Sequence, residues 1–252
     1  MARHVLAGMG QAALIAALAP LLLVQARQAR ARALRLPEPE GPRAGEAGVG
    51  APLRLLIAGD SAAAGVGVSD QRQALSGHLV DLLSAHHRVT WRLVARTGWR
   101  SADLLAQMQA LPVERFDVAL LSLGVNDVTG GASSARFVAV QRALVDLLAQ
   151  RFRVRHLLMS AVPPMQHMTA LPRPLRDVLG WRAARFNVAL RAMAAQRPGA
   201  RLLAPGLPFT ADMLAEDGFH PSAAAYRLWA EAAARAMDQS LPTMTSLALT
   251  TA

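Results

Sequence analysis

Short apolar runs alternate with stretches of helical period along most of the chain. Residues 53–58 (LRLLIA) form a strand-length run that ends in Gly-Asp-Ser. Over residues 71–86, Leu75, Leu79, Leu82 and Leu83 recur at helical spacing. Residues 89–95 (VTWRLVA) predict a second strand, and Ser101 is placed to cap a helix whose face begins at Leu104 and Leu105. Residues 117–123 (DVALLSL) read as a buried strand running into Gly-Val-Asn-Asp. A helix over 134–151 carries Phe137, Val140, Leu144, Leu147 and Leu148. Residues 155–162 make a fourth strand, stopped by Pro163 and Pro164, and 175–196 a long helix. Residues 201–204 form a short fifth strand, and 221–237 a last helix with proline in its first turn. Nearly continuous apolar strands separated by helices imply a parallel sheet covered on both faces. The expected fold is therefore α/β, a three-layer α/β/α sandwich around a central, mostly parallel five-stranded sheet. In such sheets ligands sit beyond the carboxyl ends of the strands.

Outside this pattern lie two N-terminal segments and a tail. No charged residue occurs from Val5 to Gln25, about the length of a membrane span, with Pro20 inside it. A membrane anchor is the first reading. A cleaved signal segment, with Val24-Gln25-Ala26 at a small-residue site, and a buried core helix are the alternatives. Residues 27–51 read as a linker, first arginine-rich and then rich in proline, glycine and glutamate. The domain plan is thus 1–26 as anchor or signal segment, 27–51 as linker, 52–238 as the folded domain and 239–252 as a flexible tail. The expected placement is at a membrane through residues 5–25, a bacterial inner membrane crossed once. The dense arginines after the segment favour a cytoplasmic domain, with a periplasmic or secreted one as the alternative.

Composition changes this picture little. The formal net charge is +10, but every one of the 27 basic residues is arginine, and most are scattered. This reads as a compositional bias of the source genome, and without an aromatic-plus-basic motif no nucleic-acid partner is expected. The chain has no cysteine, which excludes disulfides, thiolate metal sites and cysteine nucleophiles.

The candidate chemistry clusters after the strands. Ser61 follows Gly59-Asp60, where a glycine turn lifts a serine clear of the sheet edge. Gly98 follows the second strand, and its N–H is a candidate oxyanion donor. Asn126 follows the third strand and offers a neutral amide to the same mouth, with Asp127 beside it to hold the loop through backbone N–H groups. Before the last helix stands Asp217-Gly218-Phe219-His220. A carboxylate three residues before a histidine can reach one imidazole nitrogen and leave the other free as a general base. His167 reads as a solvent-facing loop histidine, with lining of an acyl pocket as the alternative. Trp181 and Trp229 read as core.

Taken together, these four blocks resemble the SGNH (GDSL-type) hydrolase family over roughly residues 53–238. The resemblance implies a serine esterase with Ser61 as nucleophile and His220 and Asp217 as base and acid. It also implies an oxyanion hole from the Ser61 N–H, the Gly98 N–H and the Asn126 side chain. The implied substrate is a small-molecule or lipid ester, and no metal or organic cofactor is called for. Lysophospholipase, thioesterase or O-acyl-transfer chemistry on the same site is the alternative, as is a non-catalytic, membrane-tethered binding domain.

Overall fold

In the computed structural model, which describes residues 2–204, 206–208 and 210–239, fourteen regular segments follow one another. They are α1 (Ala2–Arg32), β1 (Ala44–Ala47), β2 (Ala51–Gly59), α2 (Ser61–Ala64), α3 (Leu75–Ser84), β3 (His87–Ala95), α4 (Ser101–Ala110) and β4 (Val118–Ser122). Then come α5 (Val125–Thr129), α6 (Ser134–Arg151), β5 (His156–Ser160), α7 (Leu175–Ala195), β6 (Ala200–Leu203) and α8 (Ala223–Asp238).

The side chains of β2 decide the architecture. Leu55 and Ile57 point to one face of the sheet, Leu56 and Ala58 to the other, and all four are fully buried. The first pair packs with α3 and α8 through Leu75, Leu79, Tyr226 and Ala230. The second packs with α4, α6 and α7 through Leu104, Leu144, Phe137 and Phe186. A strand buried on both faces has no polar side to show in its sequence, hence the unbroken apolar runs. Among the described residues the strands lie in the order β1-β3-β2-β4-β5-β6, parallel except for β1. The order reverses at β2, so the ends of β2 and β4 open onto a common crevice.

The α/β sandwich is as expected, but the sheet has six strands, not five. The additional one is β1, inside the expected linker and antiparallel to β3. Its four residues, Ala-Gly-Glu-Ala, are mostly exposed and carry no apolar alternation. Backbone pairing to Val89–Arg92 holds it, helped by a hydrogen bond from Thr90 to Glu46.

The N-terminal expectation needs a correction. No helix among the described residues is long and apolar enough to cross a membrane, so the single-pass anchor over residues 5–25 is not supported. The side chains of residues 2–14 and 16 lie outside those described. In the second half of α1, Leu22 and Ala26 pack against the domain's core. Gln25 donates from Nε2 to the Arg173 carbonyl and accepts the Leu175 N–H at Oε1. These side chains face protein rather than lipid. The expected tail, apart from Gln239, lies outside the described residues.

Candidate active site

The site is built where β2 and β4 end. A Cβ on Gly59 would run into the Ser122 carbonyl and the Ala63 side chain. Only glycine lets the chain turn there while the Asp60 N–H still reaches the Ser122 carbonyl at 3.1 Å. Asp60 then caps α2, its carboxylate accepting the Ala62 N–H at 3.2 Å. Ser61 is thereby fixed as the first residue of a helix, buried but for an edge.

His220 and Asp217 come from the loop before α8, which Ser222 caps by accepting the Ala225 N–H. The Asp217 carboxylate accepts the backbone N–H groups of Phe219 and His220 on Oδ1, at 3.0 and 2.9 Å. Its Oδ2 lies 2.5 Å from His220 Nδ1. His220 Nε2 stands 2.9 Å from Ser61 Oγ. Three residues drawn from the two ends of the domain thus form one hydrogen-bonded chain. The Asp217 side chain is 4% exposed and that of His220 16%, so the acid is sealed while the imidazole keeps an open edge. Burial pushes the Asp217 carboxyl up, but the hydrogen bonds from the His220 ring and the two backbone N–H groups outweigh it. The group is held below the usual carboxylate range.

Gly98 follows β3 and Asn126 lies in α5 after β4, the two strands that flank β2. Gly98 has φ +84°, with open space where a side chain would be. Asn126 donates from Nδ2 to the Trp99 carbonyl at 2.9 Å, which joins the two loops. Neither residue lines the adjoining cavity. Asp127 does hold its loop as expected, but it reaches past the backbone, accepting both the N–H and the hydroxyl of Ser101. Gln141 donates to that same hydroxyl.

The sequence does not reveal two features. One is a cavity of about 320 Å³ opening beside Ser61 and His220. It extends towards the ends of β5 and β6, between Val162, Pro163, Leu207, Leu214, Phe219 and Trp229. Trp229 lies in the core as expected and also forms part of this wall, while His167 stands exposed at its rim. The other is Asp60, whose fully enclosed carboxyl is pushed up to about 7 by burial, against the pull of the Ala62 N–H and of His220.

The Asp60 shift has a measurable consequence. Between the unfolded value of 3.8 and about 7, unfolded chains have an ionised Asp60 while native ones still hold the proton. The native state therefore loses stability as pH rises through that window. Asp60→Asn keeps a capping side chain and removes the effect. The variant should gain on the wild type between pH 4.5 and 7.5, by about 3 kcal/mol. Urea denaturation of both proteins at the two pH values reads this, and a difference that does not change with pH would contradict it.

The fold and this Ser–His–Asp chain define the class: an α/β protein with the site constellation of serine hydrolases. Residues 57–228 match the GDSL-like Lipase/Acylhydrolase family, and the chain belongs to it. A GDSL-like esterase of Mycobacterium tuberculosis is 29% identical over an alignment of 194 residues, with 71% of this chain and 60% of that one covered. The chain thus spans less than two thirds of that relative's length. A member of the lipolytic G-D-S-L family from Veillonella parvula superposes with a TM-score of 0.58 at 16% identity, covering 74% of this chain and 98% of the other. The Clostridium thermocellum family 3 carbohydrate esterase gives 0.60 at 16% identity, with 75% and 96% covered. At these identities the two structures share the fold.

Proposed function

We propose that the protein is a serine esterase cleaving carboxylic esters through an acyl-enzyme on Ser61, the catalytic domain being residues 52–238. The observation that carries this is the hydrogen-bonded chain Asp217–His220–Ser61 at the mouth of a cavity. His220 Nε2 takes the Ser61 proton as Oγ attacks the ester carbonyl. Asp217 fixes the proton on Nδ1 and stabilises the imidazolium. The oxyanion is received by the N–H of Ser61, at the start of α2, by the N–H of Gly98 and by the Asn126 amide. With one Nδ2 hydrogen held by Trp99, Asn126 has its second free to donate. The protonated His220 passes its proton to the leaving alcohol. A water then enters, gives its proton to the same nitrogen, and attacks the acyl carbonyl to release the acid.

A fluorophosphonate probe tests this reading. It should modify the protein at Ser61 and no other residue, as located by mass spectrometry of the labelled peptide, and should block hydrolysis of p-nitrophenyl butyrate in step with labelling. No labelling, or labelling elsewhere, would remove Ser61 from its role.

A further inference from the structure

The cavity beside Ser61 has a wall that is apolar in its chemistry as well as its composition. Two of the polar side chains on that wall, Asn187 and Trp229, spend their hydrogen bonds within the protein. Asn187 accepts the Val162 N–H and donates to the Val162 carbonyl, both at 2.8 Å. This double bond pins the stretch into Pro163 and Pro164. Trp229 is 6% exposed, and its Nε1–H is given to Ser160 Oγ at 3.1 Å. The indole therefore closes the cavity with carbon. Beyond the Ser61 and His220 end, a guest here meets mainly hydrocarbon, with Ser122 and His167 as further polar residues on the lining.

Two parts of an ester could occupy such a place, the acyl chain or the alcohol. The alcohol must depart between the two halves of the reaction, and water must arrive where it stood, within reach of His220 Nε2. A recess walled with hydrocarbon excludes water and suits the part that stays covalently attached throughout. The exposed edge of His220 provides the way in and out. The candidate oxyanion donors Gly98 and Asn126 lie outside the cavity, so the carbonyl oxygen does not compete for it.

We propose, on the esterase reading above, that this cavity is the acyl-chain subsite, closed by Trp229, and that it selects acyl groups of medium length. Its volume is about 320 Å³. With a methylene taken as about the size of a water, roughly 30 Å³, that is room for a chain of at most about ten carbons.

The test is kcat/KM for p-nitrophenyl esters from acetyl to dodecanoyl, beside a series of alkyl acetates from methyl to octyl. The acyl series should rise about three- to fourfold per methylene to a maximum between hexanoyl and decanoyl, and then fall. The acetate series should stay nearly flat. Trp229→Ala removes the wall and should raise the dodecanoyl-to-octanoyl ratio roughly tenfold or more. Because that variant also opens a buried site, Leu207→Asp, at a half-exposed position of the wall, serves as the second. It should lower the octanoyl-to-acetyl ratio at least roughly tenfold by placing a charge beside the chain. A flat acyl series, or rates that climb with alcohol length instead, overturns the assignment. If Ser61 still reacts with the fluorophosphonate in that case, the esterase reading stands and the subsite alone is lost.

Discussion

Ser61→Ala is expected to lower kcat for p-nitrophenyl butyrate by about 10⁶-fold while leaving the melting temperature within a few degrees of the wild type. The first half follows from chemistry: no other hydroxyl is bonded to His220 Nε2, and alanine has no atom that can carry the acyl group. The second half follows from how the turn is held. The Asp60 N–H bonds the Ser122 carbonyl, the Asp60 carboxylate bonds the Ala62 N–H, and the Ser61 carbonyl accepts the Val66 N–H. All three survive removal of Oγ, and alanine is a good helix residue. Kinetics and thermal melts on the same preparation separate the two halves. Full turnover in the variant would mean that the reaction does not pass through Ser61. A collapse of the melting temperature would mean that the hydroxyl holds the turn together.

The parallel core was legible in the sequence because a strand buried on both faces leaves an apolar run bounded by turn residues, as residues 53–58 and 117–123 do. The residues of the hydrogen-bonded chain Asp217–His220–Ser61 were legible for another reason. Each stands at a turn whose geometry depends on its immediate neighbours: Gly59 for Ser61, and the two-residue spacer between Asp217 and His220. What stayed hidden depends on distant partners. β1 has no apolar pattern, because an exposed edge strand is selected by the backbone of β3 rather than by its own side chains. Trp229 reads as core because the wall of an apolar cavity and the interior of a helix pair place the same demand on a helical position. They differ only in whether an atom or a void lies beyond. The shifted carboxyl of Asp60 is silent for the same reason, since its cause is enclosure by residues from other parts of the chain. The stretch from Val5 to Gln25 shows the opposite failure. Absence of charge suggested lipid, but no described helix is apolar enough to cross a membrane, and within the stretch Leu22 and Gln25 are used against the domain itself.

Asp217→Asn should cost about 10⁴-fold in kcat with KM changed little, and it tests whether the carboxylate acts by setting a tautomer. Asp217 Oδ1 accepts two backbone N–H groups, and the amide oxygen of asparagine can go on accepting both. The amide NH₂ then takes the place of Oδ2 and points a donor at His220 Nδ1. That nitrogen must become the acceptor, so the ring proton moves to Nε2, where it faces Ser61 Oγ as a donor. A ring that donates to the serine cannot take its proton, although every heavy atom stays where it was. Loss of kcat with an unchanged fold and KM is therefore the expected signature. Fluorophosphonate labelling of the variant should slow in proportion. In the wild type the carboxyl is held below its ordinary 3.8. The stability it supplies is fully present above that value and is lost as pH falls through the lowered one. The charge that fixes the tautomer is thus in place throughout the neutral range. Retention of kcat within tenfold in Asp217→Asn would show that the loop around Gly218 orients His220 unaided, and that the carboxylate is dispensable to the reaction.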